Sequence, residues 1–113
     1  MNILINKEII MANIVVACGS GVATSETVVS LIKGFFEDHN ISGVNVEATD
    51  FKGLAGVLPN YDIYVWIAKP TKEIQDICDR EGIVDVNGVN ILTGNNSDDS
   101  YKKILWALQK MTM

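Results

Sequence analysis

The sequence predicts an α/β domain: a four-stranded parallel sheet with helices on both faces, doubly wound in the Rossmann-like manner. Three observations predict it. Short β-branched apolar runs alternate with segments of helical periodicity, and such alternation implies parallel strands joined by right-handed crossovers. A length of 113 residues fits one domain with a real core and leaves little room for a second. The chain is 48% hydrophobic and 20% charged, an ordinary globular balance that argues against disorder away from the ends.

The elements follow in order. Met11 is a second methionine, followed by Ala12, Asn13 and then a strong strand. Residues 1–12 are therefore set apart as an amino-terminal extension or alternative start, with disorder a possible state, and residues 13–113 form a single domain. Ile14, Val15, Val16 and Ala17 make a wholly apolar run, as expected of a strand buried on both faces. Helical periodicity then begins, with Val28, Leu31, Ile32, Phe35 and Phe36 on one stripe. Thr24 or Ser25 can cap its start, and Glu26 lies in the first turn where the helix dipole favours an anion. Asn40 and Gly43 lie beyond its end.

Residues 44–48 alternate weakly and read as a second strand. Residues 50–58 read as a short, weak helix stopped by Pro59 and Asn60. Ile63, Tyr64, Val65, Trp66 and Ile67 form the clearest strand, aromatic and β-branched. Thr71 can cap a helix that puts Ile74, Ile77 and Cys78 on one face and stops at Gly82. Residues 83–92 read as a fourth strand, interrupted at Asn87-Gly88. Ser97, Asp98 and Asp99 open the last helix, whose stripe is Tyr101, Ile104, Leu105 and Leu108.

Charge and composition exclude several roles. The net charge is −5, and no run of Lys or Arg interleaves with aromatics, so nucleic acid is not an expected partner. An acidic surface is also repelled by anionic lipid. No apolar stretch approaches the roughly 20 residues of a spanning helix, and the first residues lack a secretory h-region. Cys18 and Cys78 form no Cys-x-x-Cys unit and no metal-ligand pair. These features fit free thiols in a reducing cytoplasm, with no metal and no cofactor.

The chemistry concentrates in Cys18, Gly19, Ser20, Gly21, Val22, Ala23, Thr24 and Ser25, which join the first strand to the first helix. In parallel sheets ligands bind beyond the carboxyl ends of the strands, and Cys18 stands at such an end. The two glycines permit a tight turn with N–H groups directed inward. With the free amides and dipole of the following helix they form a cradle for a dianion. Ser20, Thr24 and Ser25 can add hydroxyl donors. A thiol there has its thiolate stabilised, and a nucleophilic sulfur in a phosphate cradle suggests phosphoryl transfer through a phosphocysteine.

Blander readings stand beside this one. A lone cysteine at a strand end is often a small buried hydrophobe. Cys78 shares a helical face with Ile74 and Ile77 and reads as core. His39, the only histidine, reads as a solvated residue near a helix end. Gly19-x-Gly21-x-x-Thr24 nearly matches a dinucleotide-binding fingerprint, with Asp50 as ribose ligand, but lacks the third glycine. A cysteine-dependent phosphatase needs Arg at the sixth position after the cysteine, where this chain has Thr24. A thiol redox sensor usually needs a resolving cysteine nearby.

The string from Ile14 through Ala17, Cys18, Gly19, Ser20, Gly21, Val22, Ala23, Thr24 and Ser25 resembles the active-site strand and loop of IIB components of the phosphoenolpyruvate-dependent sugar phosphotransferase system. Its Ala-Cys-Gly-x-x-Val-Ala-Thr-Ser form is most similar to the galactitol branch. The resemblance implies a phosphotransferase subunit in which Cys18 carries the phosphoryl group and residues 19–25 bind it. It further implies a phosphohistidine IIA protein as donor. The acceptor would be a carbohydrate, galactitol or a related polyol, held by a membrane IIC protein.

Overall fold

The computed structural model describes residues 12–18 and 23–111. Residues 1–11 of the expected extension lie outside them, as do Gly19, Ser20, Gly21 and Val22 of the loop. Four strands, β1 (Ala12–Cys18), β2 (Val44–Asp50), β3 (Ile63–Trp66) and β4 (Val84–Asn87), form one sheet in the order β2-β1-β3-β4. Every neighbouring pair is parallel.

Five helices accompany them: α1 (Ala23–Asp38), α2 (Phe51–Val57), α3 (Lys72–Glu81), α4 (Gly88–Thr93) and α5 (Ser97–Met111), with a 3₁₀ turn at Leu58–Asn60. The chain steps one way from β1 to β2 and the other way from β2 through β3 to β4. Right-handed crossovers then put α1 on one face and α2 and α3 on the other. The predicted α/β class is the observed one.

Two cores result. Ile14 and Val16 of β1 join Ile63, Val65 and Val86 beneath α1, α4 and α5. The alternate residues, Val15 and Ala17, join Tyr64 beneath α2 and α3, where Ile74, Ile77 and Cys78 pack. This period-two division requires the middle of β1, from Ile14 to Ala17, to be apolar at every position. The single run Ile14–Ala17 thus supplies both cores.

Several boundaries differ from expectation. Ala12, assigned above to the extension, is the first residue of β1: it pairs with Val44, and its N–H donates to Gly43 O at 3.1 Å. β2 extends two residues past Ala48, because Thr49 and Asp50 continue the ladder opposite Ala17 and Cys18. β3 ends at Trp66, one residue early.

The largest difference lies at Asn87-Gly88, which is no interruption within a strand. β4 ends at Asn87, and the Asn87 side chain accepts from the N–H groups of Val89 and Asn90 at 2.8 and 3.2 Å, capping α4. Ile91 and Leu92 therefore lie on a helix. The start predicted at Thr71 and the stop predicted at Gly82 stand where the sequence placed them: Thr71 Oγ1 accepts from Ile74 N–H, and Gly82 has φ +71°. No helix among the described residues is long and apolar enough to cross a membrane.

Candidate functional site at the carboxyl edge of the sheet

The order of the sheet selects one edge. The winding of the chain reverses between β1 and β3, and in open parallel sheets ligands bind at such a switch point, beyond the carboxyl ends of the strands. Cys18 closes β1 there, opposite Asp50 of β2, and Ala17 lies opposite Trp66 of β3. Four residues separate Cys18 from Ala23, the first residue of α1. The backbone thus leaves a strand and enters a 16-residue helix across a short span, with the helix's first free amides and positive dipole end facing the strand terminus.

Within the first turn of α1 the hydroxyl residues separate. Neither Thr24 nor Ser25 is the cap expected above, because α1 already begins at Ala23 and both carry helical backbone. Thr24 is half-buried. Ser25 is 0% exposed, and among the described residues its Oγ has no hydrogen-bond partner. A buried hydroxyl without a partner is costly, so such groups need an explanation of their own.

The neighbouring strand ends are held by capping. Asp50 Oδ1 accepts from Gly53 N–H at 2.9 Å, fixing α2. At β4, Ser100 Oγ donates to Asn87 O at 2.7 Å, tying α5 to the strand end. Gly88 lies against β3 so closely that a Cβ would stand 2.7 Å from Val65 Cγ1 and 2.9 Å from Trp66 O. Trp66, Asn87, Asn90 and Ser100 line an open cavity of about 190 Å³ there. Sequence reasoning had missed these residues. The Asn-Gly pair was visible, but a cap and a turn use the same two residues.

The other candidates lie elsewhere. Arg80, the only arginine in the chain, is in the last turn of α3 and pairs with Glu81 at 3.4 Å. A helix that follows β3 runs back toward the amino edge, so no guanidinium from this chain serves the Cys18 end. His39 follows the last residue of α1, about 24 Å along that helix from Ala23 at 1.5 Å per residue. It is exposed, and its Nδ1–H donates to Phe35 O at 2.9 Å.

Cys78 is 1% exposed in the α2/α3 core. Burial first, then the carboxylates of Asp85 and Asp79, push its thiol up to about 11. It has neither the exposure nor the acidity of a resolving cysteine. Among the described residues no group of three or more His, Cys, Asp or Glu gathers to hold a metal ion.

Known proteins share this architecture. Residues 13–103 match the family model described as "PTS system, Lactose/Cellobiose specific IIB subunit". Among solved structures, a cellobiose-specific phosphotransferase IIB component from Borrelia burgdorferi superposes with a TM-score of 0.61 at 22% identity, covering 90% of this chain and 95% of that one. The lactose-specific IIB component domain from Streptococcus pneumoniae superposes with a TM-score of 0.56 at 16% identity, covering 88% and 92%. At these identities the structures speak for the fold. No curated protein matches the chain by sequence.

Proposed function

This chain belongs to the lactose/cellobiose-specific IIB family of the sugar phosphotransferase system, and from that premise we propose that it carries a phosphoryl group on Cys18. IIB domains work between IIA and IIC partners, and the step has a simple balance. The Cys18 thiolate attacks the phosphorus of a phosphohistidine on IIA; the P–N bond breaks as the S–P bond forms, and the electron pair stays on nitrogen. A sugar hydroxyl presented by IIC then attacks the same phosphorus. The S–P bond breaks, the thiolate is regenerated, and the hydroxyl proton leaves to solvent or base.

One observation carries the proposal: the only cysteine at the carboxyl edge ends β1, and four residues separate it from the start of a long helix. Amides of residues 19–25 and the α1 dipole suit the equatorial oxygens of a phosphoryl group. The buried Ser25 hydroxyl is a further donor at that helix start. The missing arginine favours a carrier over a phosphatase, since no guanidinium fork stabilises attack by water.

The test is to incubate the chain with phosphoenolpyruvate, enzyme I, the general phosphocarrier and a matching IIA, then measure intact mass. One added phosphate, mapped to Cys18 and absent from Cys18→Ser, is expected. Label on His39, or none from a phosphorylated matching IIA, defeats the proposal.

The acceptor is the finer part of the reading. The family description and the two solved relatives name lactose or cellobiose, whereas the loop string resembles the galactitol branch. Presenting phosphorylated protein to membranes bearing a disaccharide-type or a galactitol-type IIC separates these, because only the matching pair yields sugar phosphate. The working unit is residues 13–113 together with Ala12, whose pairing opens β1. A chain starting at Met11 should keep its stability in urea unfolding. A loss above about 2 kcal/mol, beyond ordinary surface effects, makes residues 1–10 structural.

A further inference from the structure

The whole-chain charge predicts repulsion from anionic lipid, but the charge is not evenly spread. From Ser100 to Met111 the last helix carries Lys102, Lys103 and Lys110 and no carboxylate, in a chain whose net charge is −5. Asp98 and Asp99 stand in its first turn, where the dipole favours them; Asp98 lies off the lysine arc, and Asp99 lies on it at its amino-terminal end. At 3.6 residues per turn, Lys102, Trp106, Lys110 and Lys103 fall within about 100° of arc. All four are exposed. Trp106 stands at the centre of the arc, 50% exposed, with Lys110 Nζ 4.3 Å from its ring centroid. The opposite face of α5, with Ile104, Ala107 and Leu108, is spent in the core.

We propose that this stripe of α5 is a peripheral docking surface for an anionic lipid bilayer. The occupant follows from composition. A protein interface normally has an apolar, well-packed centre depleted in lysine, whereas here a single indole is ringed by lysines. That arrangement suits a headgroup layer, where tryptophan sits at the apolar boundary and lysines meet acidic lipid. The acidic remainder of the protein is repelled by the same surface, so approach is restricted to this face.

The helix also lies suitably. Lys103 shares a cavity with Trp66, Asn87, Asp85 and Asp99 at the carboxyl edge, and Lys110 shares one with Asp62 and Val84 at the amino edge. α5 thus lies along the strands, and docking through it holds the carboxyl edge beside the membrane plane without covering it. The inference stands apart from the phosphocysteine reading and is tested without phosphoryl transfer.

In a Trp66→Phe background, which leaves Trp106 as the only indole, the protein is sedimented with vesicles about one-third phosphatidylserine and with neutral phosphatidylcholine vesicles. Binding to the anionic vesicles alone is expected, with a blue shift of Trp106 emission and loss of binding in high salt. Replacing Lys102, Lys103 and Lys110 by Gln together should weaken partitioning about a hundredfold, at about fivefold for each lysine. Trp106→Ala, followed by sedimentation, should weaken it further while far-UV circular dichroism stays unchanged. Absence of binding, equal binding to neutral vesicles, or binding indifferent to the lysine changes overturns the proposal. Crosslinking from position 106 to a protein partner without any lipid dependence overturns it as well.

Discussion

The two ends of the sheet are built from the same strands yet are chemically opposite. At the carboxyl end, backbone polar groups are gathered and held open: β1 stops at Cys18, Asp50 and Asn87 cap α2 and α4, and α1 begins nearby. At the amino end, polar groups are closed on one another. Asp62 Oδ2 accepts from Asn13 N–H at 2.8 Å, Arg80 pairs with Glu81, and His39 is bound to its own helix. Parallel strands force this asymmetry, because every helix that follows a strand starts at the same edge. Reactive groups belong where free amides converge, and spent ones where helices end.

The contrast is sharpest in the two cysteines, and breaking it gives the largest expected effect. With its thiol pushed up to about 11 from an ordinary 9, Cys78 has about a hundredfold less thiolate at neutral pH than a free cysteine. Burial slows it further. Iodoacetamide on the native protein should modify Cys18 alone, with Cys78 labelled only in urea. Peptide mapping reads the order directly, and Cys78 reacting first would mean that the α2/α3 face is not a sealed core.

Gly88 tests how tightly the carboxyl end is assembled. A Cβ there meets Val65 Cγ1 at 2.7 Å and, less forgivingly, the Trp66 carbonyl oxygen at 2.9 Å. Since backbone cannot rotate away as a side chain can, Gly88→Ala should destabilise by about 1–3 kcal/mol, read as a lowered urea midpoint. An unchanged midpoint would show that α4 can slide along β3.

Much of this organisation was legible in the sequence, and the misreadings have physical causes. Apolar runs fixed β1 and β3 because a strand buried on both faces has no polar position to blur it. The end of β2 was missed because Thr49 and Asp50 are held by backbone pairing with Ala17 and Cys18, which leaves no mark on hydropathy. Helix α4 reads as strand in the sequence because its six residues include Val89 and Ile91 and are too few to display a helical period. The place of Cys18 at a strand end was legible, because the apolar run stops there. The buried state of Ser25 was not, since serine is an ordinary surface residue whose burial depends on tertiary packing.

A smaller effect appears in the dependence of stability on pH. Folding holds the Cys78 thiol protonated up to about 11, while the unfolded chain ionises near 9. Between these values the native state binds more protons, so stability is full below about 9 and falls as pH rises toward 11. The loss should reach about 1 kcal/mol by about pH 10. Burial pushes Tyr64 in the same direction, with Cys78 and Asp85 adding to it. Urea midpoints across this range should therefore decline less steeply in Cys78→Ala than in wild type, without becoming flat. An identical decline would assign the whole effect to Tyr64 and other groups.

The smallest expected effect belongs to the amino end. His39 is exposed, donates to Phe35 O at 2.9 Å, and lies 4.2 Å from the Phe35 ring, which itself stacks on Tyr101 at the same separation. The Phe35–Tyr101 stack holds α1 to α5 without help from the imidazole, whose hydrogen bond water can replace. His39→Ala should therefore shift stability by no more than about 0.5 kcal/mol, the ordinary range for surface substitutions. Transfer from IIA should keep its wild-type rate, because His39 stands about 24 Å along α1 from the Cys18 end. Single-turnover phosphorylation measures that rate, and a drop of tenfold or more would place a histidine in the transfer step and dissolve the distinction between the two ends.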